Sequence, residues 1–397
     1  MPKVLQINSC ANWGSTGKIA AQINDAARAR GWDTYLSYGR YHIPNGSDMI
    51  RIGNRFSQGL ALLEARLFDN DGLSMVRATR SFVKTIQDIK PDIIHIHNLH
   101  GYYINYRILF NYLNGASIPI VWTLHDCWSF TGHCSHFVSA NCEKWQSRCF
   151  SCPLKKDYPT SLLLDRSTYN YEIKKGLFTS IKNLHIVTVS HWLEGLVNQS
   201  YFRGKDIRVI NNGVDINVFK PRIDNDKNKY IILGVSSVWN NSKGLNDFYL
   251  LNELIDKDKF EIVLVGLTDR QVSCLPDGII GIARTDSVDK LAELYSKADV
   301  FVNLSYEDTF PTTNLEALAC GTPVVTYKTG GSPEAVSYDT GMVVEQGDLQ
   351  GIYHSVQEIC NKCKGAYQKS CRERAVLLFD KVEKYKEYVE LYEELLG

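Results

Sequence analysis

Asp299-Val-Phe-Val-Asn-Leu304, followed by Asp308-Thr-Phe-Pro-Thr-Thr-Asn-Leu-Glu316 and Ala317-Leu-Ala-Cys-Gly-Thr-Pro-Val-Val325, is the stretch on which the fold turns. The apolar run at 299–304 predicts a buried parallel strand, and Pro311-Thr312-Thr313 a helix start. Amides left open at that start suit a phosphate, which places Phe310, Pro311, Thr312 and Thr313 at an anion-binding turn. Glu316, one turn inside, can hold a ribose diol, as acidic residues do in dinucleotide folds. Asp308, at the strand end, can reach hydroxyls of whatever the phosphate carries. Thr313-Asn-Leu-Glu316 also fits a capping box, with Glu316 bonding back to its own helix start. Both readings stay open at this level.

A second junction follows at Thr329-Gly-Gly-Ser-Pro-Glu334, where Ser332 reads as an N-cap and Pro333 as the first helical residue. Together the two junctions resemble the paired-acid motif of retaining glycosyltransferases of family 4. In that family the pair is usually Glu, seven residues, Glu, and a Gly-Gly-x-x-Glu run comes after it. Asp308 departs from the pattern, its carboxylate reaching one methylene less far. The similarity extends over nearly the whole chain and is strongest from Asn211 to Glu334.

At 397 residues the chain is too long for one ordinary core and predicts two domains. Hydrophobic content of 44% and charged content of 22% are those of a globular protein. Its 44 basic and 44 acidic residues cancel, so net charge offers no reason to expect nucleic acid as a partner; a local basic face could still meet a membrane. Met-Pro-Lys-Val-Leu-Gln-Ile-Asn8 reads as a strand rather than a signal peptide, and no run approaches a membrane span. A cytoplasmic enzyme is the expectation, with peripheral attachment at the inner face of the membrane at most.

Apolar strands alternate with amphipathic helical stretches, the mark of an α/β protein with parallel sheets. Strands are predicted at Val4–Ile7, Ile93–His97, Ile118–Leu124 and His185–Val189, then at Tyr230–Val235, Phe260–Val265, Asp299–Leu304 and Val324–Tyr327. The polar stretch 222–229 reads as a linker. The resemblance implies two Rossmann-like domains facing across a cleft, the GT-B arrangement. The N-terminal acceptor-side domain would span 1–217, the nucleotide-sugar domain 218–377, and a final helix within 378–397 would pack back on the first.

Gly14-Ser-Thr-Gly-Lys18 is not a P-loop, because Asn12 and Ile19 stand where Gly and Ser or Thr are needed. What remains is a glycine-bearing loop, and the resemblance puts Gly14 and Gly17 near the donor diphosphate. Turn-making explains the glycines almost as well. Lys243, near a helix start, is disfavoured by the macrodipole unless an anion lies close, which favours a diphosphate role. The family usually adds an Arg upstream, where this chain has serines. His125 and Asp126 end a buried strand, where α/β sheets place ligands. The resemblance puts His125 against the donor sugar and makes Asp126 a candidate for polarising an acceptor hydroxyl. His125 could equally bond backbone at the strand end.

His95 and His97 share a strand face, but the helical His-Glu-x-x-His geometry of a metallohydrolase is missing, and no catalytic metal is expected. Cys134, Cys142, Cys149 and Cys152 fall within nineteen residues, ending Cys-x-x-Cys-Pro, a spacing suited to a structural zinc. Two disulfides are the competing reading, and Cys127, His133 and His136 are substitute ligands. The resemblance as a whole implies transfer, with retention, from a UDP- or GDP-linked sugar to a glycan or lipid-linked glycan of a surface polysaccharide. A non-catalytic nucleotide-sugar-binding protein and a non-hydrolysing sugar-nucleotide epimerase are the alternatives.

Overall fold

The computed structural model describes residues 1–44, 48–222 and 228–397, so most of the expected linker lies outside the described residues. The chain divides into two compact units: Met1–Asn211 with Lys384–Gly397, and Asn212–Glu383.

The first unit is built on a seven-stranded sheet. Its strands are β1 (Lys3–Ile7), β2 (Asp33–Tyr38), β3 (Asp48–Arg51), β4 (Ile93–Ile96), β5 (Ile120–Leu124), β6 (Leu184–Thr188) and β7 (Asp206–Val209). Every pairing is parallel, in the order β3-β2-β1-β4-β5-β6-β7. All residues of β4 and β5 are buried, which is why these segments read as unbroken apolar runs rather than alternating ones.

The second unit repeats the plan with β8 (Tyr230–Val235), β9 (Phe260–Val265), β10 (Ile279–Ile282), β11 (Val300–Asn303), β12 (Val324–Tyr327) and β13 (Gly341–Val344). These are also all parallel, in the order β10-β9-β8-β11-β12-β13. In each sheet the strand order reverses beside the unit's first strand, at β1 and at β8. Ligands of such sheets bind beyond the carboxyl ends of the strands at that reversal. Each unit is therefore Rossmann-like, the α/β class expected. Five strands had no counterpart in the sequence reading: the edges β3, β7, β10 and β13, and the polar β2.

The helix Lys381–Leu396 turns Tyr385, Tyr388, Val389, Leu391 and Tyr392 into the first unit's core, against Val4, Ile93, Val121 and Val187. Its outer face is pinned by charge: Arg30 pairs with Glu390 and Glu393, and Arg208 with Glu394 at 2.6 Å. Among the described residues, no helix is long and apolar enough to cross a membrane.

Candidate functional site

Beyond the end of β11, Lys243 and Asp308 form an ion pair, Nζ to Oδ2 at 2.7 Å. A second ammonium N–H donates to the Glu307 carbonyl at 3.2 Å, so one of the three N–H groups is left over for another acceptor. Lys243 ends the short turn Asn241–Lys243, and Gly244 then opens the helix Leu245–Leu254. Gly244 has φ +73°, and a Cβ there would overlap the Leu304 carbonyl, so only glycine lets this turn lie against the end of β11.

The helix Thr312–Ala319 begins after Pro311, with no side chain capping it. Thr312 and Thr313 are thus first-turn residues whose amides have no intrahelical acceptor. The capping-box reading fails: Thr313 is already inside the helix, and Glu316 accepts a hydrogen bond from the Tyr295 hydroxyl at 2.9 Å. Burial and the facing Glu316 carboxylate raise the Tyr295 phenol well above its ordinary value, so it stays a donor. Phe310 brings only its backbone to this turn. Its ring is buried against Phe379, and its carbonyl accepts from Asn212.

A buried hydrogen-bond chain fixes the loops around this helix start. Asn303 donates to Asn314 Oδ1 at 2.9 Å, Asn314 donates to Ser332 Oγ at 3.0 Å, and Ser332 bonds Thr326 Oγ1 at 2.8 Å. Ser332 was expected to cap a helix. Instead Gly331 holds that position before the single turn Ser332–Ala335, and the Ser332 hydroxyl faces inward because these buried amides need partners. Gly330, at φ +52°, lies so close to the Asp308 carbonyl that a Cβ would overlap it. The second junction thereby holds the first.

In the first unit, Gly14 and Gly17 are not in a loop. They lie in the opening turn of the helix Gly14–Ala29, where a Cβ on Gly17 would come within 3.2 Å of the Cys10 carbonyl oxygen and the Gly17 carbonyl accepts from Asn12. His125 terminates a relay of buried side chains. The Gln6 amide nitrogen donates to the Ala20 carbonyl at 2.9 Å, which turns Gln6 Oε1 toward His97 Nε2 at 2.6 Å. His97 therefore carries its proton on Nε2. Burial and the neighbouring His95 and His125 push its basicity well down, so it is neutral and Nδ1 is an acceptor. Nδ1 meets His125 Nε2 at 3.0 Å, so that nitrogen of His125 is the donor. Burial lowers His125 to about 4, leaving it neutral with its lone pair on Nδ1.

Asp126 Oδ2 accepts from His100 Nε2 at 2.7 Å, while His100 Nδ1 meets the Tyr158 hydroxyl at 2.9 Å. Burial pushes the Asp126 carboxyl up, but the His100 imidazolium outweighs it and holds Asp126 at about 2. The same pairing, against burial, raises His100. Nothing local in the sequence pairs His100 with Asp126, because 26 residues separate the two. Gln6 and Tyr295 were missed altogether, having no motif around them.

Cys134, Cys142, Cys149 and Cys152 line one pocket together with His133, and none is in a disulfide. Cys134 and Cys152 hydrogen-bond to each other, and Cys149 Sγ accepts from the Gly132 amide at 3.2 Å. Among the described residues no three His, Cys, Asp or Glu side chains are already gathered as a metal site.

Two family descriptions match the chain: "Glycosyl transferases group 1" over residues 229–362 and "Glycosyltransferase Family 4" over 59–218. The Escherichia coli (strain K12) protein named "Putative colanic acid biosynthesis glycosyl transferase WcaC" is 24% identical over 414 residues, spanning 99% of this chain and 100% of that one. Among solved structures, sucrose-phosphate synthase from Thermosynechococcus elongatus superposes with a TM-score of 0.72 at 18% identity, over 100% of this chain and 99% of that one. Anabaena HepE in complex with UDP gives 0.65 at 15%, over 99% and 100%.

Proposed function

We propose, from the premise that this chain belongs to the group 1 and family 4 glycosyltransferases, that it moves a sugar from a nucleotide diphosphate sugar to a glycan or lipid-linked glycan acceptor during surface polysaccharide synthesis. The observation that carries this reading is the Lys243–Asp308 pair beside the uncapped start of the helix Thr312–Ala319. A diphosphate would take the remaining Lys243 N–H and the Thr312 and Thr313 amides, so leaving-group charge is met by fixed donors as it develops. Glu316, steadied by Tyr295, would accept from the ribose diol, and Asp308 from hydroxyls of the transferred sugar. UDP is the favoured nucleotide, by analogy with the HepE complex.

Retention would follow from front-face attack, with the departing phosphate oxygen taking the acceptor proton, so no carboxylate pair is needed at the anomeric carbon. In the first unit, His125 would lie against the donor sugar, and Asp126 would orient the acceptor. Asp126 cannot be a strong base, since its partner holds it at about 2. Its proposed task is positioning an acceptor hydroxyl in a cytoplasmic reaction at the membrane face.

Incubating the protein with UDP-sugars, with and without acceptor extract, tests the reading. UDP release that depends on acceptor, with the anomeric configuration retained in the product, is the expected result. Interconversion of the donor without UDP release would mean an epimerase, and binding without either reaction a non-catalytic protein.

A further inference from the structure

We propose that the loop from Cys134 to Cys152 is a closed zinc site, with one zinc(II) ion held by the thiolates of Cys134, Cys142, Cys149 and Cys152 and its negative charge balanced by the buried Lys174. The proposal does not depend on which reaction the chain catalyses.

Three observations converge on it. The four thiols line one pocket, all reduced, with Cys134 and Cys152 in contact and Cys149 already accepting an N–H···S bond. Lys174 is buried, 2% exposed, yet among the described residues it forms no ion pair. Its ammonium donates to the Trp128 and Thr131 carbonyls, at 2.8 and 3.2 Å, and lies 3.3 Å from the centre of the Trp128 ring. A buried ammonium without a counter-ion is costly. Four groups of acidic character lie around it: Asp69, Asp71, Cys134 and Cys149. Asp69 is already engaged by His133 and by the Arg166 amide, and Asp71 turns Oδ1 to the Gly101 and Tyr102 amides while its Oδ2 is unpaired among the described residues. The thiols are the groups through which a metal would bring further negative charge.

The third observation is His133. It is buried, lines the same pocket, and directs Nδ1 to Asp69 Oδ1 at 2.6 Å, leaving Nε2 without a partner. An orphaned ring nitrogen in a pocket of thiols is what a missing thiolate cluster would leave behind. When zinc binds, the four S–H bonds lose their protons to solvent and four Zn–S bonds form, so the cluster carries two negative charges. Lys174 offsets one of them. All four positions on the ion are then filled, so the site is structural. Binding would draw the thiols together around the ion, since no three of them are already gathered as a metal site among the described residues.

Metal analysis of the full chain, purified under reducing conditions from zinc-replete medium, decides the matter. About one zinc per chain is expected, and replacement by cobalt should give the intense visible absorption of a tetrahedral thiolate site. Cys152→Ser should lose the metal. Should that variant fail to fold, Lys174→Met serves instead, since it leaves the ligands intact and should release zinc to a chelator roughly tenfold more readily. Wild-type protein that carries no metal, with the four cysteines as free thiols or as disulfides, would overturn the proposal. Zinc release from Lys174→Met no faster than from wild type would overturn the counter-charge assignment.

Discussion

Gln6 sets the protonation of His125 without touching it. The Ala20 carbonyl orients the Gln6 amide, the amide fixes the His97 tautomer, and His97 fixes that of His125. His97→Gln can keep the pattern, since one amide both donates to Gln6 and accepts from His125, whereas His97→Leu cannot. Transfer assays should therefore show His97→Leu losing about tenfold in kcat, one hydrogen bond's worth, with much of that rescued in His97→Gln. Equal losses in the two variants would make His97 a packing residue only. In the second unit, Glu316→Gln should weaken UDP binding in calorimetry by about 1–2 kcal/mol, because a charged acceptor is exchanged for a neutral one. Asp308→Asn should leave UDP affinity near normal and cut turnover. Asp126→Asn should lower transfer to acceptor more than slow donor hydrolysis.

At the scale of elements, the turn that carries Asp308 owes its shape to a neighbouring turn. Gly330 combines a left-handed backbone with contact to the Asp308 carbonyl. Gly330→Ala should therefore move Asp308 and Lys243 together, raising KM for the donor while unfolding of the first unit stays unchanged. Asn314→Ala should destabilise the second unit by about 2 kcal/mol, because it leaves the Asn303 side-chain amide buried without its acceptor and takes the Asn314 donor from the Ser332 hydroxyl, which keeps Thr326. Chemical denaturation followed by Trp239, the tryptophan within this unit, would report the second change, and donor-dependent kinetics the first. Eight strands were readable from their apolar runs, being buried on both faces. β7, Asp-Ile-Arg-Val, and its fellow edge strands have one side of the ladder open and carry a weaker pattern.

For the molecule as a whole, the buried histidines predict acid sensitivity. His95, His97 and His125 are held neutral in the folded chain, chiefly by burial, but titrate near 6.5 when exposed. Below pH 6.5 the unfolded chain binds protons that the folded one refuses, so stability falls as pH falls, down to about 4 for His125. Each contributes about 1.4 kcal/mol per pH unit within its window. His100 and His133, raised in the folded state, are protonated in both states below 6.5 and leave that slope unchanged. Denaturation midpoints measured from pH 6.5 to 5 should fall steeply, and His97→Gln should be shallower by about 1.4 kcal/mol per pH unit.

Local sequence was enough for the α/β class, the strand-to-helix step at 299–316 and the family resemblance, because each rests on neighbours in the chain. It could not set aside a capping box for Glu316, since the partner that engages its carboxylate, Tyr295, lies 21 residues away. It likewise paired neither Lys243 with Asp308, 65 residues apart, nor Asp126 with His100, and gave Lys174 no role. Hydrogen bonds and charges act over about 3 Å of space whatever the separation along the chain. Which side chains share such a space is settled only when parallel strands, far apart in sequence, are laid side by side.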